Sequence, residues 1–480
     1  MKNNKRTILI AIAFLLMIGI GYIPAPTGLP QEGMKVLGVF TGCLLLWLTV
    51  SIDWPSFICV VAVGLMPFTD FKTILSSSFG NETFVFLLST FICTYSLSQT
   101  NFLRRCALAF VTSKIARKGA WHFAIAFFAA VLFIGSFMSP TVLFVIFMPI
   151  LEEVYKLLGL KKGDRIAEML MLGLVFTTSI SAGMTPIAHV FSIMALGFYE
   201  AATGLSIGYG QYMVFAIPVG LCCSILMLLV FKYIYRVDMS SIDKIDLRPL
   251  KEEMPKMDLR EVLSATTFGL IVSAWVLPSL LKGIFPTICE TISSYGTALP
   301  PMIGVIVLSM ISVNNKPLLD FGKAMKEGVP WGSLIMSVGT LAIGSAMTNE
   351  AVGLTQYITD LLGPALSNVP PILLVLLFTV WAAIQTNLSS NMVTVTVVTA
   401  VGIPLMLATE GAVNTAAVVC IIGMMAAYAF ATPPAMPHVA IAGGSGWTSV
   451  SSLFKYGTIQ MIIGIIVTVI IGYPLACMVM

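Results

Sequence analysis

The sequence predicts an all-α polytopic membrane protein of about 11 spans, arranged as two inverted halves behind an extra N-terminal helix. Three observations support this fold class. The 480 residues are 58% hydrophobic, only 10% of them are charged, and both halves show the same order of apolar runs. Soluble domains carry about 25% charged residues. No H-E-x-x-H, Walker or G-x-S-x-G motif occurs, so no enzyme is expected.

Four apolar runs of spanning length open the chain, at residues 7–24, 35–50, 54–67 and 80–98. Arg104 and Arg105 follow the fourth run. Four crossings from a cytoplasmic N-terminus return the chain to the cytoplasm, where basic residues concentrate. We therefore expect a protein of the cell membrane with its N-terminus in the cytoplasm and its C-terminus outside.

Residues 119–151 contain no Asp, Glu, Lys or Arg. This segment is longer than one span of about 20 residues and shorter than two spans with a turn. Basic residues lie on both flanks, which places both ends in the cytoplasm. The pattern predicts a re-entrant hairpin with Ser139-Pro140-Thr141 at its tip. One long tilted helix is the alternative, which the like-charged flanks disfavour.

The second half repeats this order, with spans near 263–283, 297–313 and 331–347 and a second uncharged hairpin at 370–409. No Lys or Arg occurs between Lys326 and Lys455, so this hairpin is expected to open to the outside. An odd number of crossings in each half inverts one half relative to the other. The predicted units are an N-terminal helix (1–34), a first repeat (35–235), a charged cytoplasmic linker (236–261) and a second repeat (262–480).

Each hairpin is followed by an apolar span that a Thr-Pro pair interrupts. The first span is 167–197, broken at 181–186, and the second is 413–445, broken at 431–434. Proline removes a helix hydrogen bond, so a simple kink is the plainer interpretation. Histidines follow both breaks, His189 and His438. They are candidates for charge on an anion site, for a coupled proton or for the place of a metal ion.

The stretch Gln385 to Thr399 is rich in hydroxyls and amides and carries no charge. Such groups are costly at membrane depth unless they are hydrogen-bonded, and free helix N-termini attract anions. Helix-to-helix packing through Ser and Thr is the alternative. The candidate substrate-binding residues at the tips and breaks are Ser139, Thr141, Thr185, Pro186, Ser390, Asn391, Thr394, Thr432 and Pro433.

These motifs resemble the divalent anion/sodium symporters, the family of sodium-coupled dicarboxylate, citrate and sulfate carriers. The residues that match are Ser390-Asn391 with Thr394, Ala431-Thr432-Pro433-Pro434, Gly443-Gly444-Ser445-Gly446 and Val329-Pro330-Trp331-Gly332. The resemblance implies a homodimer that moves a small organic dianion or sulfate across the lipid bilayer by an elevator-like shift. For the sodium-coupled members it also implies one cation beside each tip, and Thr386, Asn391 and Ala431 match the sodium site of the second tip. Neither an organic cofactor nor nucleic acid is expected.

The first tip departs from the pattern of the family. Pro140 stands where an asparagine is usual, and Met184 stands where a glycine is usual. We therefore expect exchange of dicarboxylates, or transport that depends weakly on sodium. Sodium symport is the first alternative. A proton-coupled antiporter of another class and a membrane protein without transport activity are the others.

Overall fold

The computed structural model describes residues 2–187, 189–239, 254–281, 283–366, 369–433 and 435–480. Helices dominate these residues, and the all-α prediction is confirmed apart from one small ladder. Ser312–Val313 pairs antiparallel with Lys316–Pro317. Asn314 and Asn315 form its turn with φ angles of 54° and 59°. Asparagine tolerates this left-handed conformation, which a two-residue hairpin requires.

The first half is built from eleven α-helices within the described residues. A wider π-type turn over Val230–Tyr235 extends the last of them. The helices are α1 (Lys2–Tyr22), α2 (Gln31–Thr49), α3 (Trp54–Gly64), α4 (Phe71–Ser78), α5 (Glu82–Ser98), α6 (Phe102–Val111), α7 (Ala120–Gly135), α8 (Pro140–Leu158), α9 (Arg165–Met184), α10 (Val190–Thr203) and α11 (Tyr209–Leu229).

The second half begins after the predicted linker, most of which lies outside the described residues. Its first helix begins at Leu259, inside the predicted linker. The helices are α12 (Leu259–Leu281), α13 (Pro286–Ser294), α14 (Leu299–Met310), α15 (Phe321–Lys323), α16 (Trp331–Thr348), α17 (Leu354–Leu366), α18 (Pro371–Leu388), α19 (Asn391–Leu407), α20 (Thr415–Ala427), α21 (Pro437–Ser445), α22 (Val450–Val467) and α23 (Tyr473–Val479).

Helix lengths differ from the apolar runs in several places. Helix α3 ends at Gly64, so the run at 54–67 is helical for only 11 residues. Short helices α4, α6, α13 and α17 were not predicted, because they mix polar and apolar residues instead of forming apolar runs. Eight helices of the described chain are long and apolar enough to cross a membrane. The count of about 11 spans stays a prediction.

Both uncharged segments form two helices joined by a turn. In the first, residues 136–139 join α7 to α8, and in the second, Ser389 and Ser390 join α18 to α19. Both arms of the first hairpin pack against α9, and both arms of the second pack against α20. The same arrangement of a hairpin on the helix that follows it therefore occurs in each half.

Helices α9 and α20 form the centre of the molecule and pack against each other. Met169 to Met184 and Ala416 to Ala427 are buried throughout. Both helices are largely apolar on all sides, as expected for helices that are surrounded by protein. Helix α1 lies at the periphery, where apolar side chains such as Leu15 and Ile18 are exposed.

An ion pair between half-buried Arg105 and buried Glu261 joins α6 to the start of α12. The Arg105 Nε atom lies 2.7 Å from Glu261 Oε1, and its Nη2 atom lies 3.2 Å from Oε2. Nη2 also donates to the Pro255 carbonyl at 2.9 Å. The Glu261 side chain is only 4% exposed. The bidentate geometry suits a guanidinium group. The ion pair joins the two halves on the side that carries Arg104 and Arg105.

Replacing Arg105 by alanine is expected to destabilise the protein by about 3 kcal/mol, because it leaves the Glu261 carboxylate buried without its partner. Lys35→Ala breaks the exposed Lys35–Glu32 pair (3.1 Å) and should cost less than about 1 kcal/mol. Unfolding of the detergent-purified variants measures both. Equal losses for the two variants would contradict the assigned importance of the buried pair.

Candidate functional site

The two hairpin tips have matching backbone geometry. Ser139 precedes α8 with φ −56° and ψ 133°, and Ser390 precedes α19 with φ −71° and ψ 129°. Each serine carbonyl accepts the first helical hydrogen bond, from Leu143 N and Thr394 N, at 2.9 Å in both cases. Neither serine hydroxyl caps its helix. Both hydroxyls are half-buried and are therefore available to other partners.

In each half a threonine hydroxyl of the break donates to a carbonyl of the hairpin. Thr185 Oγ1 donates to the carbonyl of Ser136, and Thr432 Oγ1 donates to the carbonyl of Asn387. Ser136 and Asn387 each lie three residues before the tip serine, so the two bonds occupy corresponding positions. The Thr-Pro break thus fixes the end of the first hairpin arm in both halves.

The limits of the breaks differ from those predicted. Helix α9 continues to Met184, so the expected start of the first break at Ser181 is wrong and it begins at Thr185. The second break begins at Tyr428 and ends before Pro437, further on both sides than expected, and Pro434 of the predicted break lies outside the described residues. The limits of each break depend on which side chains hydrogen-bond to its backbone. The positions of the prolines do not reveal these hydrogen-bond partners.

Asn391 is the polar residue at the tips that stands out. Its side chain is 3% exposed. Neither Oδ1 nor Nδ2 has a hydrogen-bond partner in the described chain. Leaving such a group unsatisfied costs about 1–3 kcal/mol. Because a carboxamide both donates and accepts, it could bind a carboxylate oxygen or coordinate a cation.

The remaining tip and break residues are placed as follows. Thr394 is buried and donates to the Ser390 carbonyl at 3.1 Å, within its own helix. Thr141 and Pro433 are half-buried, and Pro186 is buried. Pro140 is the first residue of α8, where proline suits helix geometry but removes an N–H group. The first tip therefore lacks both the side-chain amide and the backbone donor that the second tip has.

The predicted sodium residues lie at three places: Thr386 near the end of α18, Asn391 at the start of α19 and Ala431 in the second break. Thr386 Oγ1 donates to the Ala426 carbonyl at 2.6 Å, and its lone pairs remain as acceptors. Ala431 N donates to Asn387 Oδ1 at 2.8 Å. Among the described residues, no group of three or more His, Cys, Asp or Glu side chains is suited to a metal ion.

The histidines do not occupy equivalent positions, contrary to the sequence prediction. His189 precedes α10, whereas His438 lies within the first turn of α21, because the second break is longer. His438 Nε2 lies 2.9 Å from Ser179 Oγ, which also donates to the Ala429 carbonyl at 2.7 Å. His438 therefore belongs to a contact between the halves. That either histidine supplies positive charge to an anion or carries a coupled proton stays a prediction.

Three residues of the site were not predicted from the sequence: Asn387, Ser179 and Ser136. Asn387 is 2% exposed and bonds the second break through its side chain. The sequence did contain a signal for Asn387, because Asn387 and Ser136 lie at the same distance before a tip serine. Ser179 gave none, since its partners lie about 250 residues away.

The electrostatics of the site come from backbone and neutral side chains. Four helices begin at the tips and breaks: α8, α10, α19 and α21. No charged residue occurs in 136–141, 185–189, 385–394 or 428–436. Helix N-termini carry partial positive charge and stabilise anions. The arrangement suits a small anion that is held without arginine or lysine.

Thr185→Val and Thr432→Val are each expected to lower the free energy of unfolding by about 1–2 kcal/mol, because each leaves a carbonyl near the site without its donor. Thr177→Val is the matched control. The Thr177 hydroxyl bonds only within its own helix, to the Gly173 carbonyl at 2.6 Å and the Leu174 carbonyl at 3.3 Å. Unfolding in detergent should show a clearly smaller loss for this control, and an equal loss would contradict the assigned role of the two bonds.

The chain is similar to a known family of membrane proteins over nearly its whole length. The family model described as the transmembrane region of sodium:sulfate symporters matches residues 2–480. The sodium-dependent dicarboxylate transporter SdcS of Staphylococcus saprophyticus is 24% identical over 472 residues, covering 93% of this chain and 87% of the relative. The protein of the same name from Staphylococcus aureus is 25% identical over 480 residues, with the same coverage.

Two solved transporter structures share the fold. The YdaH transporter of Alcanivorax borkumensis superposes with a TM-score of 0.56 at 14% identity, covering 93% of this chain and 98% of that one. MtrF of Neisseria gonorrhoeae, described within a class of antimetabolite efflux pumps, gives 0.54 at 14% identity, covering 99% and 94%. These likenesses concern the fold alone. Because the family model spans the chain from residue 2 to its end, the protein belongs to the sodium:sulfate symporter family of multi-pass membrane transporters.

Proposed function

We propose that the protein is a secondary transporter of small dicarboxylate dianions, with the substrate held between the two hairpin tips. The buried and unpartnered carboxamide of Asn391 carries this proposal. A group of this kind is costly in the protein alone and is accounted for if a ligand bonds to it. The names of the staphylococcal relatives support a dicarboxylate as that ligand.

The dianion is bound by neutral donors and helix N-termini. Ser139, Thr141 and Ser390 supply half-buried hydroxyls, and Asn391 supplies an amide. One carboxylate oxygen accepts from the Asn391 Nδ2 group, and the N-terminus of α19 adds partial positive charge. A sodium ion beside the second tip, near Thr386 and Ala431, would neutralise part of the substrate charge.

The coupling mode has two candidates. Sodium symport is supported by the second half, where the threonine hydroxyl and the break carbonyls remain as oxygen ligands, and by the names of the relatives. Exchange of one dicarboxylate for another is favoured by the first half. Its tip carries Pro140 in place of an amide, and Met184 precedes its break.

The larger architecture belongs to the same proposal. Two inverted repeats, each with a hairpin on its broken span, carry the substrate by an elevator-like movement within a homodimer. The packing of α7 and α8 on α9, and of α18 and α19 on α20, supports a repeat in each half.

Uptake of labelled succinate into proteoliposomes tests the function and separates the coupling modes. Uptake that needs an inward sodium gradient, with no internal dicarboxylate, identifies symport. Uptake that needs internal dicarboxylate and ignores sodium identifies exchange. Sulfate and citrate serve as competitors for the substrate class. If no dianion enters or competes under either condition, the proposed function is wrong.

Asn391→Leu is expected to weaken succinate binding more than tenfold while leaving the ligand-free protein as stable as the wild type or slightly more stable. The leucine keeps the branched shape and the number of side-chain heavy atoms, and it removes two unsatisfied polar atoms. Thermal unfolding with and without succinate measures both effects. Thr396→Val is the control, since that hydroxyl bonds only to the Met392 carbonyl of its own helix, at 2.9 Å. A succinate-induced shift of wild-type size in Asn391→Leu would contradict the assigned site.

A further inference from the structure

The second break is shaped by two adjacent residues at the end of α18. Thr386 and Asn387 bond polar groups along the break and the helix end before it. These groups are the carbonyls of Ala426 and Tyr428, the N–H groups of Phe430 and Ala431, and the hydroxyl of Thr432. They replace the hydrogen bonds that the chain loses where α20 ends.

The Asn387 carboxamide uses its whole bonding capacity. Nδ2 donates to the carbonyls of Ala383 and Tyr428, both at 2.9 Å. Oδ1 accepts from Phe430 N at 2.7 Å and from Ala431 N at 2.8 Å. Two donors and two lone pairs are all that a carboxamide offers. The Asn387 side chain is therefore not free to bind a ligand itself and can act only through the backbone that it holds.

Helix α22 contacts the same backbone segment from a second direction. Gly457 lies so close that a Cβ atom there would be 2.7 Å from the Phe430 carbonyl oxygen and from the Ala431 Cα atom. Only glycine permits this approach. Residues 430 and 431 are thus fixed between the Asn387 side chain and the α22 backbone.

The described residues of the first half show no equivalent of these Asn387 contacts. Ser136 occupies the matching position, and its hydroxyl donates to Leu132 O at 2.7 Å, four residues back, as Asn387 does to Ala383. Its other contact is a weak one with Met184 Sδ at 4.0 Å. Among the described residues of the first break, Ser136 therefore bonds no backbone group through its side chain. The two halves therefore differ at two positions: Ser136 corresponds to Asn387, and Pro140 corresponds to Asn391.

We infer that Asn387 is a positioning residue for the second ligand site. It fixes the path of residues 428–431 and so holds the carbonyl oxygens of the break beside the Asn391 tip, where a small monovalent cation and the dianion bind together. This inference rests on the proposed function. Because Asn387 imposes this backbone geometry, the tip and break of the second half bind ligands more tightly than those of the first half.

Asn387→Ser, which installs the residue of the first half, tests the inference in proteoliposomes. The half-saturating concentration of succinate, and of sodium where uptake depends on it, is expected to rise at least tenfold. Ser389→Ala is the control. The Ser389 hydroxyl bonds only to the Gln385 carbonyl at 3.1 Å, and its half-saturating concentrations should stay within twofold of the wild type.

Asn387→Asp is the second variant and serves if the serine variant does not fold. It has the same shape and keeps the acceptor for both N–H groups, but it loses the two donated bonds, and it too should raise half-saturating succinate at least tenfold. A variant that unfolds at a lower temperature, yet keeps wild-type half-saturating concentrations, would show a merely structural residue and overturn the inference. If the wild type itself takes up no dicarboxylate, the proposed function fails instead.

Discussion

A helix that breaks in the buried centre of a protein leaves backbone N–H and C=O groups that need other partners, and this constraint explains the centre of the molecule. Two helices break here, after Met184 and after Ala427. In both halves a threonine of the break donates its hydroxyl to a carbonyl of the nearest hairpin, three residues before the tip serine. Tip and break are therefore one unit in each half, and neither would keep its shape without the other.

The two units are also bonded to each other. Ser179 in the first half bridges the Ala429 carbonyl and the His438 ring in the second. Tyr428 of the second break lies against Gly183, where a Cβ atom would approach its ring to 2.8 Å. The Tyr212 hydroxyl donates to the Gly183 carbonyl at 2.9 Å. Hairpins, breaks and the helices that carry them thus form a single packed body, as a part that moves substrate as a unit would require.

Within this body the halves resemble each other in backbone and differ in side chains. Both tips have the same cap geometry, but the first begins α8 with proline and the second begins α19 with a buried asparagine. At the position three residues before the tip serine, the first half likewise lacks an amide, because it has Ser136 where the second half has Asn387. Every side-chain amide at the tips belongs to the second half. An anion site built without basic side chains depends on donors and helix ends, so this imbalance bears directly on where ligands bind and on how many cations accompany them.

The sequence by itself determined the class of the protein, because apolar runs, uncharged hairpin segments and Thr-Pro pairs follow from local composition and spacing. The placement of Ser139 and Ser390 at the tips also followed from spacing. Only the tertiary structure decided where the breaks begin and end, since their limits depend on partners such as Asn387 and Ser179 that are distant in the chain. For the same reason the histidines proved not to be equivalent. A polar residue beside a helix break can bond its own turn or a distant backbone, and sequence periodicity does not distinguish these outcomes.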